Sequence, residues 1–193
     1  MTTYILHGGQ TSKISPHNDL FFRLFTSLIR KDRVKILMCY WAREKKTWNE
    51  LFERDKFKIL KQSDKKVALE IVDNDSNLFK QLYEVDVLFV SGGKQEFLEP
   101  YIPKLNQLKA ALRDKIYIGS SMGAFVASKH YVLSYESQNT DNIYKGLGLV
   151  PFNILCHWDI EIEKDKKIKM LKEKDPQIPI LLLDEEKFST FVI

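Results

Sequence analysis

Cysteine is scarce in this chain. The two present, Cys39 and Cys156, lie far apart, each inside an apolar stretch and with no C-x-x-C spacing. That usage excludes a disulfide framework and suggests reduced core thiols of an intracellular protein. Long apolar runs are missing too: no segment approaches the ~20 residues a membrane helix requires, and no basic-then-apolar leader pattern opens the chain. A cytoplasmic location, with no membrane partner, is the expectation. Charge of one sign is not concentrated anywhere: 30 Lys and Arg stand against 26 Asp and Glu, with the signs interspersed. A basic stripe for nucleic acid is therefore absent, and nucleic acid is not an expected partner. The densest basic segment, "EIEKDKKIKMLKEKD" at 161–175, carries acids throughout and reads as a solvated helix with intrahelical ion pairs. There is no metal-ligand cluster and no phosphate-binding glycine loop of known spacing, so neither metal nor cofactor is expected. Linkers, low-complexity tracts and internal repeats are also lacking, which leaves residues 1–193 as a single domain.

What is present is a β-then-α alternation. Apolar runs of strand length begin at Tyr4, Val34, Lys66, Val85, Lys115 and Ile178, and are hydrophobic continuously rather than alternately. Strands covered on both faces show that pattern. Between them lie amphipathic stretches such as "HNDLFFRLFTSLIRK", "KTWNELFERDKF", "NLFKQLYE" and "FLEPYIPKLNQLKAALRD". A final "KFSTFVI" alternates like a half-buried edge strand. Repeated βα units imply a mostly parallel central sheet with helices on both faces, an α/β fold, because parallel strands need crossover connections. Sites in such sheets form at the carboxyl ends of strands. The glycines gather there: Gly8 and Gly9, Gly92 and Gly93, Gly119 and Gly123.

One of these turns carries chemistry. With Ser121 at its centre, "GSSMG" is G-x-S-x-G, a nucleophile-elbow pattern in the strand–turn–helix context that it requires. Gly119 and Gly123 would give room for close backbone approach, and the start of the following helix favours developing negative charge. A glycine-rich turn that merely packs helix on sheet would show the same letters. A serine hydroxyl needs a base, and the chain has four histidines. His130 follows the elbow on its own helix or exit, and His17 stands at a helix start. His7 ends the first strand beside a glycine pair, where it could approach the site or simply form a turn. His157, after a turn signal and the apolar run "FNILC", is the best candidate for the imidazole.

Taken together, "SGGKQEFL" at 91–98, "GSSMGAFVAS" at 119–128, "GLGLVPFNILCHWD" at 146–159 and "LLLDEEKF" at 181–188 resemble the serine peptidases that include dipeptidase E and cyanophycinase. That family has the class I glutamine amidotransferase-like fold, a flavodoxin-like three-layer sandwich. The resemblance implies that Ser121 is the nucleophile and His157 the general base. For the acid it offers Glu185, which is preferred, or Glu136 as the alternative. It implies an oxyanion hole from the backbone N–H groups of Gly93 and Met122, with Gly92, Lys94 and Gln95 at the substrate-binding mouth. The chain departs from the family where dipeptidase E carries asparagine and threonine, at Lys94 and Gln95. Where aspartyl dipeptidases use an arginine beyond the histidine, only lysines such as Lys166, Lys167 and Lys169 are found, and lysine cannot reproduce a bidentate guanidinium clamp.

The expected function is a serine hydrolase cleaving a small peptide or related amide through an acyl-enzyme, as a monomer or homodimer. The competing class is a non-catalytic amidotransferase-like domain that binds a metabolite or a protein partner. A third reading, an α/β-hydrolase esterase with "HGG" at His7 as its oxyanion loop, conflicts with the order of residues, since in that fold the acid precedes the histidine.

Overall fold

The computed structural model describes residues 1–72, 77–134 and 140–193. Its main sheet holds six strands: β1 (Thr3–His7), β2 (Arg33–Cys39), β3 (Lys66–Ile71), β4 (Val87–Val90), β5 (Ile116–Ser120) and β10 (Phe188–Val192). Their order is β10-β1-β5-β4-β2-β3, parallel throughout except for β10, which pairs antiparallel with β1. The expected mostly parallel α/β sheet is therefore present. Burial follows position. Central β4 and β5 are buried along their whole length, as continuous apolar runs require, whereas edge strands β3 and β10 alternate or are only half covered.

Helix α1 (Pro16–Ser27) starts where Ser15 caps it, the Ser15 hydroxyl accepting from Asn18 N–H at 3.2 Å, with Pro16 in the first turn. It turns Phe21, Phe22 and Phe25 into the core and packs against α2 (Trp48–Gln62). On the chain's next crossovers α3 (Leu78–Tyr83) packs against α5 (Leu108–Ala111). The stretch expected as one helix from Phe97 to Asp114 is broken. Pro100 and Pro103 divide it into α4 (Gln95–Leu98), a 3₁₀ segment (Glu99–Leu105) and α5, because a ring nitrogen cannot donate to the preceding turn.

A second sheet follows the elbow helix α6 (Met122–Ala127): β6 (His130–Val132), β7 (Ile143–Lys145), β8 (Asn153–Cys156) and β9 (Ile180–Leu183), in the order β7-β6-β8-β9. The apolar run from Ile178 thus joins this smaller sheet rather than the central one. Strands β6 and β7, three residues each, are too short to carry a readable period. Helix α7 (Lys164–Lys174) covers β6 and β8 through Leu171, which clusters with Val132 and Leu155. It is also less solvated than its composition suggests. Ion pairs do decorate it, such as Lys166 with Glu163 at 2.9 Å, but Lys167 is fully buried, with its ammonium 2.5 Å from Glu161 and 2.8 Å from the Leu133 carbonyl. The charge is tolerated there because it is paired and hydrogen-bonded.

Register assembles the site. His7 lies opposite Ser120, and Val90 opposite Gly119, so the residues following β1, β4 and β5 emerge together. In the second sheet Cys156 lies opposite Leu183, so His157 and the Asp184–Glu185 turn emerge together as well. The two groups meet where His157 N–H donates to the Gly8 carbonyl at 3.2 Å.

Candidate active site

Ser121 directly follows β5 in a backbone conformation that side-chain-bearing residues rarely adopt, φ 48° and ψ −106°. Holding it there costs about 1–3 kcal/mol, which the surroundings supply. Ser121 N–H donates to the His7 carbonyl at 2.8 Å, and its own carbonyl accepts from Phe125 N–H to start α6. The flanking glycines are required by contact: a Cβ at Gly123 would lie 2.1 Å from the Val90 carbonyl oxygen, and one at Gly119 would lie 2.5 Å from the Gly123 carbonyl oxygen. Tyr117 donates its hydroxyl to the same Gly123 carbonyl at 2.7 Å. This turn aims the serine outward. Ser121 Oγ is 2.9 Å from His157 Nε2, and His157 Nδ1 is 2.8 Å from Glu185 Oε1. A proton on Nδ1 directed at the carboxylate leaves Nε2 free to accept from the serine, the arrangement a general base needs. Glu185 is fixed in turn: its backbone N–H donates to Asp159 Oδ1 at 2.8 Å.

Of the sequence-selected acids, Glu185 is the one brought to the imidazole; Glu136 lies outside the described residues. His17 and His130 stand apart from the serine. His7 is present near the site but not as a base. It is completely buried, its Nδ1 accepts from Gly9 N–H at 3.0 Å, and its Nε2 is 3.0 Å from Asn18 Oδ1, to which it therefore donates. Burial pushes its imidazole down to about 4, with the His157 charge adding to the effect, so it is neutral near pH 7. Asn18 passes the order onward, its amide donating to the carbonyls of Gln10 (2.9 Å) and Lys13 (2.8 Å). The "HGG" letters thus describe a bed for the His157 ring rather than an esterase loop. Gly9, at φ 130°, lies so close beneath His157 that a Cβ there would sit 2.2 Å from Cε1. Sequence reading noticed this glycine pair but not its use, and it missed Asn18 and Asp159 altogether. A strand-end histidine beside two glycines was the available signal.

Above the serine is a cleft of about 280 Å³, whose lining includes Ser121, His157, Gly92, Gly93, Lys94 and Met122. A Cβ at Gly92 would lie 3.0 Å from Ser121 Cβ, so the glycine pair passes directly beside the serine. Gln95 is not part of the lining. It opens α4 and accepts a 2.7 Å hydrogen bond from the Tyr131 hydroxyl. The cleft is also lined by residues that no motif announced. Arg54 donates to Asp55 Oδ1 through Nε (2.9 Å) and a terminal nitrogen (2.7 Å), and Tyr40 donates to Asp55 Oδ2 at 3.1 Å. Burial raises the Asp55 carboxyl, opposed by the Arg54 charge. Arg43 lies beside them, its guanidinium pushed down first by burial and then by the charge of Arg54. Among the described residues no group of three or more His, Cys, Asp or Glu could hold a metal ion, and no helix is long and apolar enough to cross a membrane.

An elbow serine at the carboxyl end of a parallel strand, in line with an imidazole and a carboxylate that follow two strands of the second sheet, defines a serine-hydrolase type of site. Residues 4–191 match peptidase family S51, and the chain belongs to that family, whose members are serine peptidases. No curated protein matches the sequence. Among solved structures, a peptidase from an acI-B1 Actinobacterium is similar over 99% of this chain and 83% of its own, with 14% identity and a TM-score of 0.68. A structure from Listeria monocytogenes EGD-e, described as a candidate peptidase E, is similar over 100% of this chain and 99% of its own, with 18% identity and a TM-score of 0.63. At those identities the likeness is one of fold.

Proposed function

We propose that this serine peptidase cleaves a small peptide or related amide through an acyl-enzyme on Ser121, and the observation that carries the reading is the unbroken chain Ser121–His157–Glu185. Ser121 Oγ attacks the carbonyl carbon of the scissile amide while His157 Nε2 takes the hydroxyl proton. Glu185 stabilises the imidazolium and holds its tautomer. The tetrahedral oxyanion forms against the N–H groups of Gly93 and Met122. In support, neither N–H has a hydrogen-bond partner among the described residues although both residues line the cleft. Collapse of the intermediate breaks the C–N bond, and His157 gives its proton to the leaving amine. Water then attacks the ester with His157 as base, releasing the acid product and restoring the serine.

The small cleft volume supports a short substrate. Apart from Arg43, whose Nε–H is bonded to the Gly92 carbonyl, cations outnumber acids in its lining, with Arg54 and Lys94 against Asp55, which favours a substrate bearing a carboxylate. The binding-domain alternative has less support, since a domain that only binds has no need of a strained serine within 2.9 Å of an imidazole.

A fluorophosphonate probe tests the reading. The wild-type protein should be labelled at Ser121 and should hydrolyse members of a dipeptide and tripeptide library. Ser121→Ala should abolish labelling and lower hydrolysis by about 10⁴–10⁶-fold. A folded wild-type protein that takes up no probe and cleaves no library member would refute the proposal.

A further inference from the structure

The Gly92–Gly93 peptide is the part of the site with the least reason to hold one orientation. Glycine on both sides of a peptide unit makes rotation of that unit easy, because neither residue has a Cβ to forbid the alternative. The neighbours on either side are fixed: Ser91 N–H donates to the Cys39 carbonyl at 2.9 Å, and Lys94 N–H donates to the Ala42 carbonyl at 2.8 Å. The unit between them has no backbone partner, and its N–H is bonded to nothing among the described residues.

Its carbonyl is held by a side chain. Arg43 Nε–H donates to Gly92 O at 2.6 Å, a short bond for a nitrogen donor and one assisted by the guanidinium charge; the Ser91 hydroxyl adds a longer contact at 3.3 Å. In a trans peptide the C=O and N–H point in opposite directions. A carbonyl drawn to Arg43 on one wall of the cleft therefore turns the Gly93 N–H away from that wall. Gly92 itself lies against Ser121, where its Cβ would be 3.0 Å from the serine Cβ.

We infer that Arg43 is a positioning residue for the oxyanion hole: its bond to the Gly92 carbonyl sets the Gly93 N–H toward the reacting carbonyl oxygen, without touching the substrate. The cationic partner also polarises the peptide, which strengthens its N–H as a donor when negative charge develops. Arg43 comes from the segment after β2, so the donor is set by a part of the chain distant in sequence from both Ser121 and His157.

The inference rests on the acyl-enzyme reading, and two measurements keep their failures apart. The first is kinetic. In Arg43→Met, kcat and the rate of fluorophosphonate labelling should both fall by ~10–10²-fold, short of the full 10²–10³ for deleting a donor, while KM changes less than about threefold because ground-state binding is not involved. The second is structural and independent of activity. Crystal structures of wild-type and Arg43→Met protein should show the Gly92–Gly93 peptide rotated in the variant, its N–H no longer facing Ser121. Should Arg43→Met not fold, Arg43→Lys carries both readouts, since an ammonium cannot reproduce the planar Nε–H contact. A kcat within twofold of wild type overturns the inference. So does an effect confined to KM, which would make Arg43 a substrate ligand, and so does a peptide that keeps its orientation without the guanidinium. A wild-type protein that never labels at Ser121 refutes the acyl-enzyme reading instead, and the peptide's orientation in the variant still decides what Arg43 holds.

Discussion

Ser121 and His157 both sit at positive φ, 48° and 56°, yet they are held in different ways. The serine is enclosed by main chain. Its N–H bonds to β1, its carbonyl starts α6, and the two glycines around it are pressed against carbonyl oxygens of β4 and α6 that cannot move without disturbing the sheet or the elbow helix. The imidazole is enclosed by side chains and loops: the Glu185 carboxylate on one nitrogen, the Gly9 methylene beneath the ring, and a turn tied by Asp159. One side of the site is as rigid as the sheet itself. The other is only as rigid as a set of hydrogen-bonded loops, themselves ordered by His7 and Asn18.

The largest effect expected on the imidazole side is chemical. Glu185→Gln keeps the shape but offers an amide where the carboxylate accepted the Nδ1 proton. It should lower kcat by about 10³–10⁴-fold with little change in thermal midpoint; a loss under tenfold in steady-state kinetics would show that another acid serves. Next comes a matched pair of glycine substitutions. Gly123→Ala and Gly9→Ala each place a methyl about as deep into a neighbour, 2.1 Å from a backbone oxygen and 2.2 Å from an imidazole carbon. Gly123→Ala should fail to give soluble folded protein. Gly9→Ala should fold, with about 1–3 kcal/mol lost to backbone strain, but with the ring displaced and kcat down about 10²-fold. Circular dichroism melts alongside kinetics would reveal whether the contrast holds; equal destabilisation by both would remove the distinction drawn between the two sides.

The smallest effect is a pH dependence of the loop bed. Because His7 has a folded-state value near 4 against 6.5 when exposed, the unfolded chain binds more protons between those values. Stability from this group is therefore complete above about pH 6.5 and is lost as pH falls toward 4, by about 3 kcal/mol at most. Urea midpoints measured across pH 4–7 should decline on the acid side in the wild type, and the slope should flatten in His7→Gln even if that variant is weaker throughout. An unchanged slope would mean that His7 is not the group being protonated.

The central sheet was legible because β1, β2, β4 and β5 read as continuous apolar runs, and the glycines after β1 and β4 and around the end of β5 mark the carboxyl edge. Ser121 was legible for the same reason, as its elbow is written in adjacent residues. In the other half, His157 was legible as the histidine following a turn signal and an apolar run, whereas Glu185 was reached only through resemblance. His157 and Glu185 approach Ser121 only because β8 and β9 pair in register within a second sheet whose shortest strands have three residues. Pairing between segments that distant leaves no local period to read. Lys167 shows the converse error: its neighbours "EKDKKIKM" look uniformly wet, but one lysine of that run faces inward to Glu161 and the Leu133 carbonyl. Arg43 and Asn18 act through main-chain groups, which any sequence possesses, so their letters alone announced nothing.

The two cysteines have a practical consequence. Cys156 Sγ lies 3.8 Å from the Ser121 carbonyl, and Cys39 is buried in the core; burial raises both thiols, that of Cys39 to about 12. Neither is presented as a thiolate to an alkylating reagent while the sheets are closed. A maleimide added to the native enzyme should thus react at the pace of global opening, giving each preparation an internal clock for unfolding that runs independently of the serine chemistry above it.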